Sequence, residues 1–265
     1  MDQSEAIKQI WETNEDLWNK KIIPLVLDPL EKSGGLGTNG LWEHILATAF
    51  GNSLKTFESI QLLTNHTLPR LLWNNAYILT REHYETFITL EWIAQDIKYR
   101  SELFFDDYSL KLAHLLHLSG EDIEEVCPER RKEIYRKRDE VLKRHSRGVG
   151  TLRLMPTLEE RVRSLIGPLG IKMPNLFWEY ECYYRDVSGF AHPSGWSIAL
   201  SLFSSDGTVS VVEPSSRVGY NAVMLNGAWF FRILKCWNRT FRVVSEATVE
   251  QWHRQWITES GIVET

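Results

Sequence analysis

Apolar residues recur at three- and four-residue spacing along most of this chain, and only one stretch alternates as a half-buried strand would. Residues 4–20 place Ile7, Ile10, Trp11, Leu17 and Trp18 on one stripe, the pattern of an amphipathic helix. Pro24, Pro29 and the glycine cluster ending in SGGLGTNG predict a break over residues 22–40. A second helix is expected from Leu41 to Leu63, and a third from Leu68 to Lys98, carrying Leu71, Leu72, Ala76, Leu79, Tyr84, Phe87, Ile88 and Trp92. A shorter leucine-rich helix follows over 107–118. Ser119-Gly-Glu-Asp122 and Thr157-Leu-Glu-Glu160 both have the form of a helix-start box. Further helices are expected over 128–148, from Pro174 to His192, from Tyr220 to Arg242, and over 246–258. Around Asp206-Gly207 the period changes to two, which predicts a small β-hairpin near residues 197–213. The expected fold is thus mainly α, a helical bundle with one hairpin. Residues 1–40 read as an N-terminal helix and Gly/Pro loop, and 41–265 as the main helical domain.

Composition narrows the class. With 43% hydrophobic and 25% charged residues over 265 positions, the chain is a globular one with enough material for a substantial core. Eleven tryptophans are most simply bulky filling between helices. Three scattered cysteines (Cys127, Cys182, Cys236) make no disulfide framework, and Cys127 and Cys182 read as buried small hydrophobes. No apolar run is long enough to span a bilayer, and the N-terminus is acidic and polar, unlike a signal peptide. A soluble, cytoplasmic protein without membrane contact is the expectation.

Several candidate chemistries fail on context. Gly35-Leu-Gly-Thr-Asn-Gly40 spells the dinucleotide fingerprint, yet no strand precedes it and no βαβ unit surrounds it, so a loop leading into the helix at Leu41 is the better account. His114 and His117 lie three apart, followed by Glu121, Asp122, Glu124 and Glu125, without the three or four convergent ligands of a zinc site. No cofactor and no metal are therefore expected. Residues 128–148 hold nine Lys/Arg against four acids on a chain whose net charge is −5. Such a helix suits phosphate contact, with Arg130, Lys137 and Arg144 sharing one face; equally, its interleaved acids suit a solvated, ion-paired surface.

The most specific string is YYRDVSGFAHPSGW. Arg185 and His192 are seven residues apart, about 700° of rotation and ~10 Å of rise, so they share a helix face. Histidine exchanges protons near neutral pH and arginine offers a permanent fork of donors to phosphate, which together suit metal-free phosphodiester cleavage. A salt-bridged arginine and a capping histidine would give the same spacing. The string resembles the R-polar-x(3–5)-H motif of the HEPN ribonuclease superfamily, with Asp186 as the polar residue. It is also similar to a Y-R-x-x-S-x-x-x-H-P-S signature of a bacterial helical family of unknown function associated with that group. That family's upstream R-x-x-x-E pattern has its match in Arg81 and Glu85. The likeness covers roughly residues 60–240.

The resemblance implies an HEPN-like helical domain that acts as a metal-independent endoribonuclease, a toxin or phage-defence effector, with RNA as substrate. Arg185, Asp186 and His192 would be the catalytic set, supported by Arg81, Glu85, Tyr184 and Ser188. It also implies a homodimer with a composite site, and an antitoxin or other regulatory partner. Many relatives in that superfamily are non-catalytic, which keeps a helical binding or partner module as the alternative.

Overall fold

The computed structural model describes residues 3–32, 35, 37–65, 68–118, 128–148, 150–166, 175–191 and 214–261. Every regular element among the described residues is helical. The expected hairpin near 197–213, Cys127 and the box at 119–122 lie outside them.

Helix α1 (Gln3–Leu17) does not end where the prolines predict. It runs on as a wide π-helical stretch (Trp18–Leu27) and then α2 (Asp28–Lys32), so the break comes after Lys32. Proline lacks an N–H and its ring crowds the carbonyl one turn back. The wider turn around Pro24 admits that ring, and Ile22 and Val26 on either side remain buried. The residues of the G-x-G-x-x-G string that are described are non-helical, and Gly40 lies directly before α3 (Leu41–Leu63).

The expected third helix divides differently. A 3₁₀ turn (Arg70–Leu72) precedes α4 (Trp73–Ala94), which leaves Leu71 exposed rather than on the core stripe. After a turn at Gln95 and Asp96 the chain continues in α5 (Ile97–Leu118), ten residues earlier than the leucine run suggests. Helix α6 (Pro128–Arg144) stops short of Gly148, where Ser146 takes a left-handed φ of 51°. Helix α7 (Leu158–Ile166) starts with the reciprocal box anticipated at Thr157. Glu160 accepts from the Thr157 N–H at 2.6 Å, and the Thr157 hydroxyl accepts from the Glu160 N–H at 3.1 Å. Next come α8 (Asn175–Glu179), a π turn (Tyr180–Tyr184) and α9 (Arg185–Ala191), then α10 (Ser216–Phe241) and α11 (Glu246–Glu259).

Helix α10 is the axis of the bundle, packed by α1, α3, α4 and α11. Eight of the eleven tryptophans are buried, so core filling accounts for most of them. Trp237 stacks on Phe50 at 4.2 Å and Phe230 meets Phe57 at 4.7 Å. Close approach to α10 depends on Gly219, which faces the Trp73 ring, and on Gly227, which faces Trp256 and Asn14. The fully buried Asn14 joins three segments: it donates to the Val223 carbonyl at 2.9 Å and to Gln61 at 3.2 Å, and accepts from the Trp256 indole at 2.7 Å. A buried amide with every bond made fixes the register of α1 against α10.

Candidate functional site

Helix α4 presents Tyr77, Arg81 and Glu85 at four-residue intervals, hence along one face. Helix α9 lies across it, and the π turn reaches it through Tyr184. In the π turn the Arg185 N–H reaches back five residues to the Tyr180 carbonyl, and the Tyr180 and Tyr184 rings stack at 5.3 Å. Such wide turns often occur at functional positions because they re-aim the side chains that follow.

Three consecutive residues are thereby sent to different partners. The Tyr184 hydroxyl donates to Glu85 Oε1 at 2.8 Å, and the same oxygen accepts from Arg81 Nε at 2.6 Å. The Arg81 guanidinium also lies 5.3 Å from the Tyr184 ring centre. Asp186 accepts from the Tyr77 hydroxyl at 3.0 Å. Arg185, between them, points outward with its side chain 64% exposed and pairs with Glu181 at 2.8 Å. The structure therefore brings Arg81, Glu85, Tyr184 and Asp186 together and holds Arg185 at the rim. His192 lies outside the described residues. Ser188 is one turn beyond Tyr184; its buried hydroxyl is near enough to temper the Tyr184 shift, but makes no well-formed hydrogen bond among the described residues.

The electrostatics define positioning roles. Burial first, and then the Glu85 carboxylate, push the Tyr184 phenol above its ordinary pKa. Burial and Asp186 do the same to Tyr77. Both phenols thus stay protonated at neutral pH and serve as donors that orient carboxylates. Tyr77 and Arg161 are cluster members that the sequence does not single out. Arg161 of α7 donates to the Thr89 hydroxyl, while its Nε has no partner among the described residues. Burial lowers its pKa, and Glu85 opposes that shift. Tyr77 was signalled only by its position four residues before Arg81; Arg161 had no sequence signal, because its contacts come from distant elements.

The basic helix α6 rests on α5 through Val141 and Leu142, packed against Leu110. Of its expected phosphate-facing residues, Arg130 is exposed and Lys137 pairs with Glu133 at 3.0 Å. Arg144 donates to both Asp106 oxygens at 3.0 and 2.8 Å, where His145 also binds. Arg144 therefore fastens α6 to α5. Cys182 is exposed, contrary to the buried reading: it points away from the core in the π turn, whereas Cys236 is buried. Among the described residues no three His, Cys, Asp or Glu side chains converge as a metal site, and no helix is long and apolar enough to cross a membrane.

Fold and site together define an all-α protein, among its described residues, whose polar cluster joins an Arg/Glu helix to a Tyr-Arg-Asp helix. The chain belongs to DUF5677, a family of unknown function that matches residues 43–209 and so takes in both helices. No curated protein and no solved structure matches the chain.

Proposed function

We propose that this protein is a metal-independent endoribonuclease of the HEPN-like kind. The observation that carries the reading is the Arg81–Glu85–Tyr184 contact, because it joins two motifs about 100 residues apart in the chain immediately beside Arg185. In the proposed reaction the RNA 2′-oxygen attacks the adjacent phosphorus, forming the O2′–P bond as the P–O5′ bond breaks. His192 takes the 2′ proton and returns one to the leaving 5′-oxygen. Arg185 stabilises the charge that builds on the phosphoryl oxygens, exchanging Glu181 for phosphate. Tyr184 and Asp186 orient the helix that carries Arg185, and Glu85 holds Arg81. Two copies of the segment 174–192 in a homodimer complete the site, and the biological setting is a toxin or phage-defence effector with a regulatory partner.

The test is incubation of purified protein with RNA in chelator. Cleavage by wild type that disappears in Arg185→Ala and His192→Ala supports the proposal; equal cleavage by all three rejects it.

One observation favours a non-catalytic partner module instead: Tyr184, Arg185, Asp186 and Glu85 are all engaged within their own chain. On that reading, alanine at Arg185 or His192 lowers the melting temperature and no RNA is cut.

A further inference from the structure

We infer that the cavity between α3, α4 and α5 is a recognition site for a guanine base. The cavity measures about 570 Å³ and is open to solvent, within the size range of small-ligand sites. Its walls include Glu82 and Glu85 on one side and Phe104, Phe105 and Tyr108 on the other, with His44 at the edge.

The charge of the lining selects the ligand. No Lys or Arg lines the cavity among the described residues; Arg81 and Arg161 stand behind its wall, bonded to Glu85 and Thr89, so the charged groups at the lining itself are the two carboxylates. The two glutamates are hydrogen-bond acceptors with capacity to spare. Glu85 uses Oε1 for both Arg81 and Tyr184, and its Oε2 has no described hydrogen bond. Glu82 accepts at Oε2 from Thr56 at 3.2 Å, and its Oε1 likewise has no described hydrogen bond.

A ligand that fits must offer N–H donors to carboxylates and flat apolar faces to aromatic rings. Among the nucleobases, guanine presents two parallel donors, N1–H and the 2-amino group, which suit the Glu82 carboxylate: its Oε1 has no described hydrogen bond and its Oε2 can accept a second beside Thr56. Adenine and cytosine each pair one donor with an acceptor on that edge, which would face a carboxylate oxygen unfavourably. Glu85 also ties the cavity to the Tyr184 contact, so a base held here lies next to the proposed cleavage site. The binding itself stands on the cavity; only its assignment to a base of the RNA substrate rests on the ribonuclease reading.

The experiment is calorimetric titration of the full chain with guanosine, adenosine and spermidine, on wild type and Glu82→Gln. Guanosine is expected to bind at least tenfold more tightly than adenosine, and Glu82→Gln to weaken it at least tenfold with an unchanged melting temperature. No guanosine binding at millimolar concentration, equal affinity for the two nucleosides, or displacement of guanosine by equimolar spermidine overturns the inference. A second arm identifies the source of the base by mapping wild-type and Glu82→Gln cleavage on one defined RNA. If cleavage next to guanine in wild type gives way to unselective cleavage in the variant, the RNA supplies the base. If guanosine binds but the cleavage map does not change, the ligand is the free nucleoside. Guanosine binding without any RNA cleavage rejects the ribonuclease reading and leaves the cavity assignment standing.

Discussion

His83 makes stability depend on pH in a direction set by its burial. Its ring is fully buried in α4, with Nε2 3.0 Å from the Ser53 carbonyl, so the neutral tautomer carries its proton on Nε2 and donates it there. Nδ1 is buried with no partner among the described residues, and a proton placed there would put a charge and an unmet donor into the core. Burial accordingly lowers the pKa from 6.5 to about 4, against the opposing pull of the Ser53 carbonyl. Between these values the unfolded chain binds a proton that the native chain refuses. Stability therefore rises with pH across this window and falls on acidification. The loss is about 2 kcal/mol at pH 5 and about 3 kcal/mol at pH 4, after which it levels off. Urea denaturation of wild type and His83→Gln at pH 7 and pH 5 isolates the effect. Glutamine keeps a donor for Ser53 but has no proton to gain, and other titrating groups such as His253 cancel in the difference. The variant should lose about 2 kcal/mol less than wild type between the two pH values. Parallel losses would refute the argument.

Gly227→Ala places a Cβ 2.4 Å from the Trp256 ring and 2.6 Å from Asn14 Oδ1, so calorimetry should show a loss of about 1–3 kcal/mol despite alanine's better helix propensity. Glu179 grips Arg232 through two 2.6 Å bonds, and with Arg232 about one-third exposed Glu179→Gln should cost about 1–3 kcal/mol in a urea melt; an unchanged midpoint would make the pair dispensable. A thiol reagent should label native Cys182 and leave Cys236 unmodified, since Cys236 is buried and its thiol is pushed up to about 12; mass spectrometry of Cys182→Ser reads this directly. If α6 grips RNA through phosphates, Arg130→Gln/Lys137→Gln should flatten the salt dependence of binding by somewhat under one unit per lost contact. Arg144 is left in place because removing it would unfasten α6 from Asp106.

The long helices were legible because each buries one periodic stripe, and α3, α10 and α11 lie close to their expected bounds. The early start of α5 was hidden by acids that do structural work. Asp107 is buried and accepts from the Leu154 and Met155 N–H groups at 2.6 and 3.0 Å, so a residue that reads as solvent-facing anchors a distant loop. Neither π stretch was legible, because periodicity assumes 3.6 residues per turn and a single wide turn changes which way every later side chain points. In the candidate site, the motif letters located Arg81, Glu85, Tyr184 and Asp186. The partner Tyr77 and the half-buried Arg161 emerge only once the helices are packed, and so does the pairing of Arg185 with Glu181.

In the proposed function, RNA is cut by its own 2′-hydroxyl without metal. The most direct measurement compares, in chelator, a defined RNA with the same strand carrying one 2′-deoxy nucleotide on the 5′ side of the mapped cleavage position. Wild type is expected to leave a 2′,3′-cyclic phosphate and a 5′-hydroxyl on the all-ribose strand and to fail to cut the substituted one at that position. Cleavage of both strands at the same rate, or no cleavage of either, would contradict it.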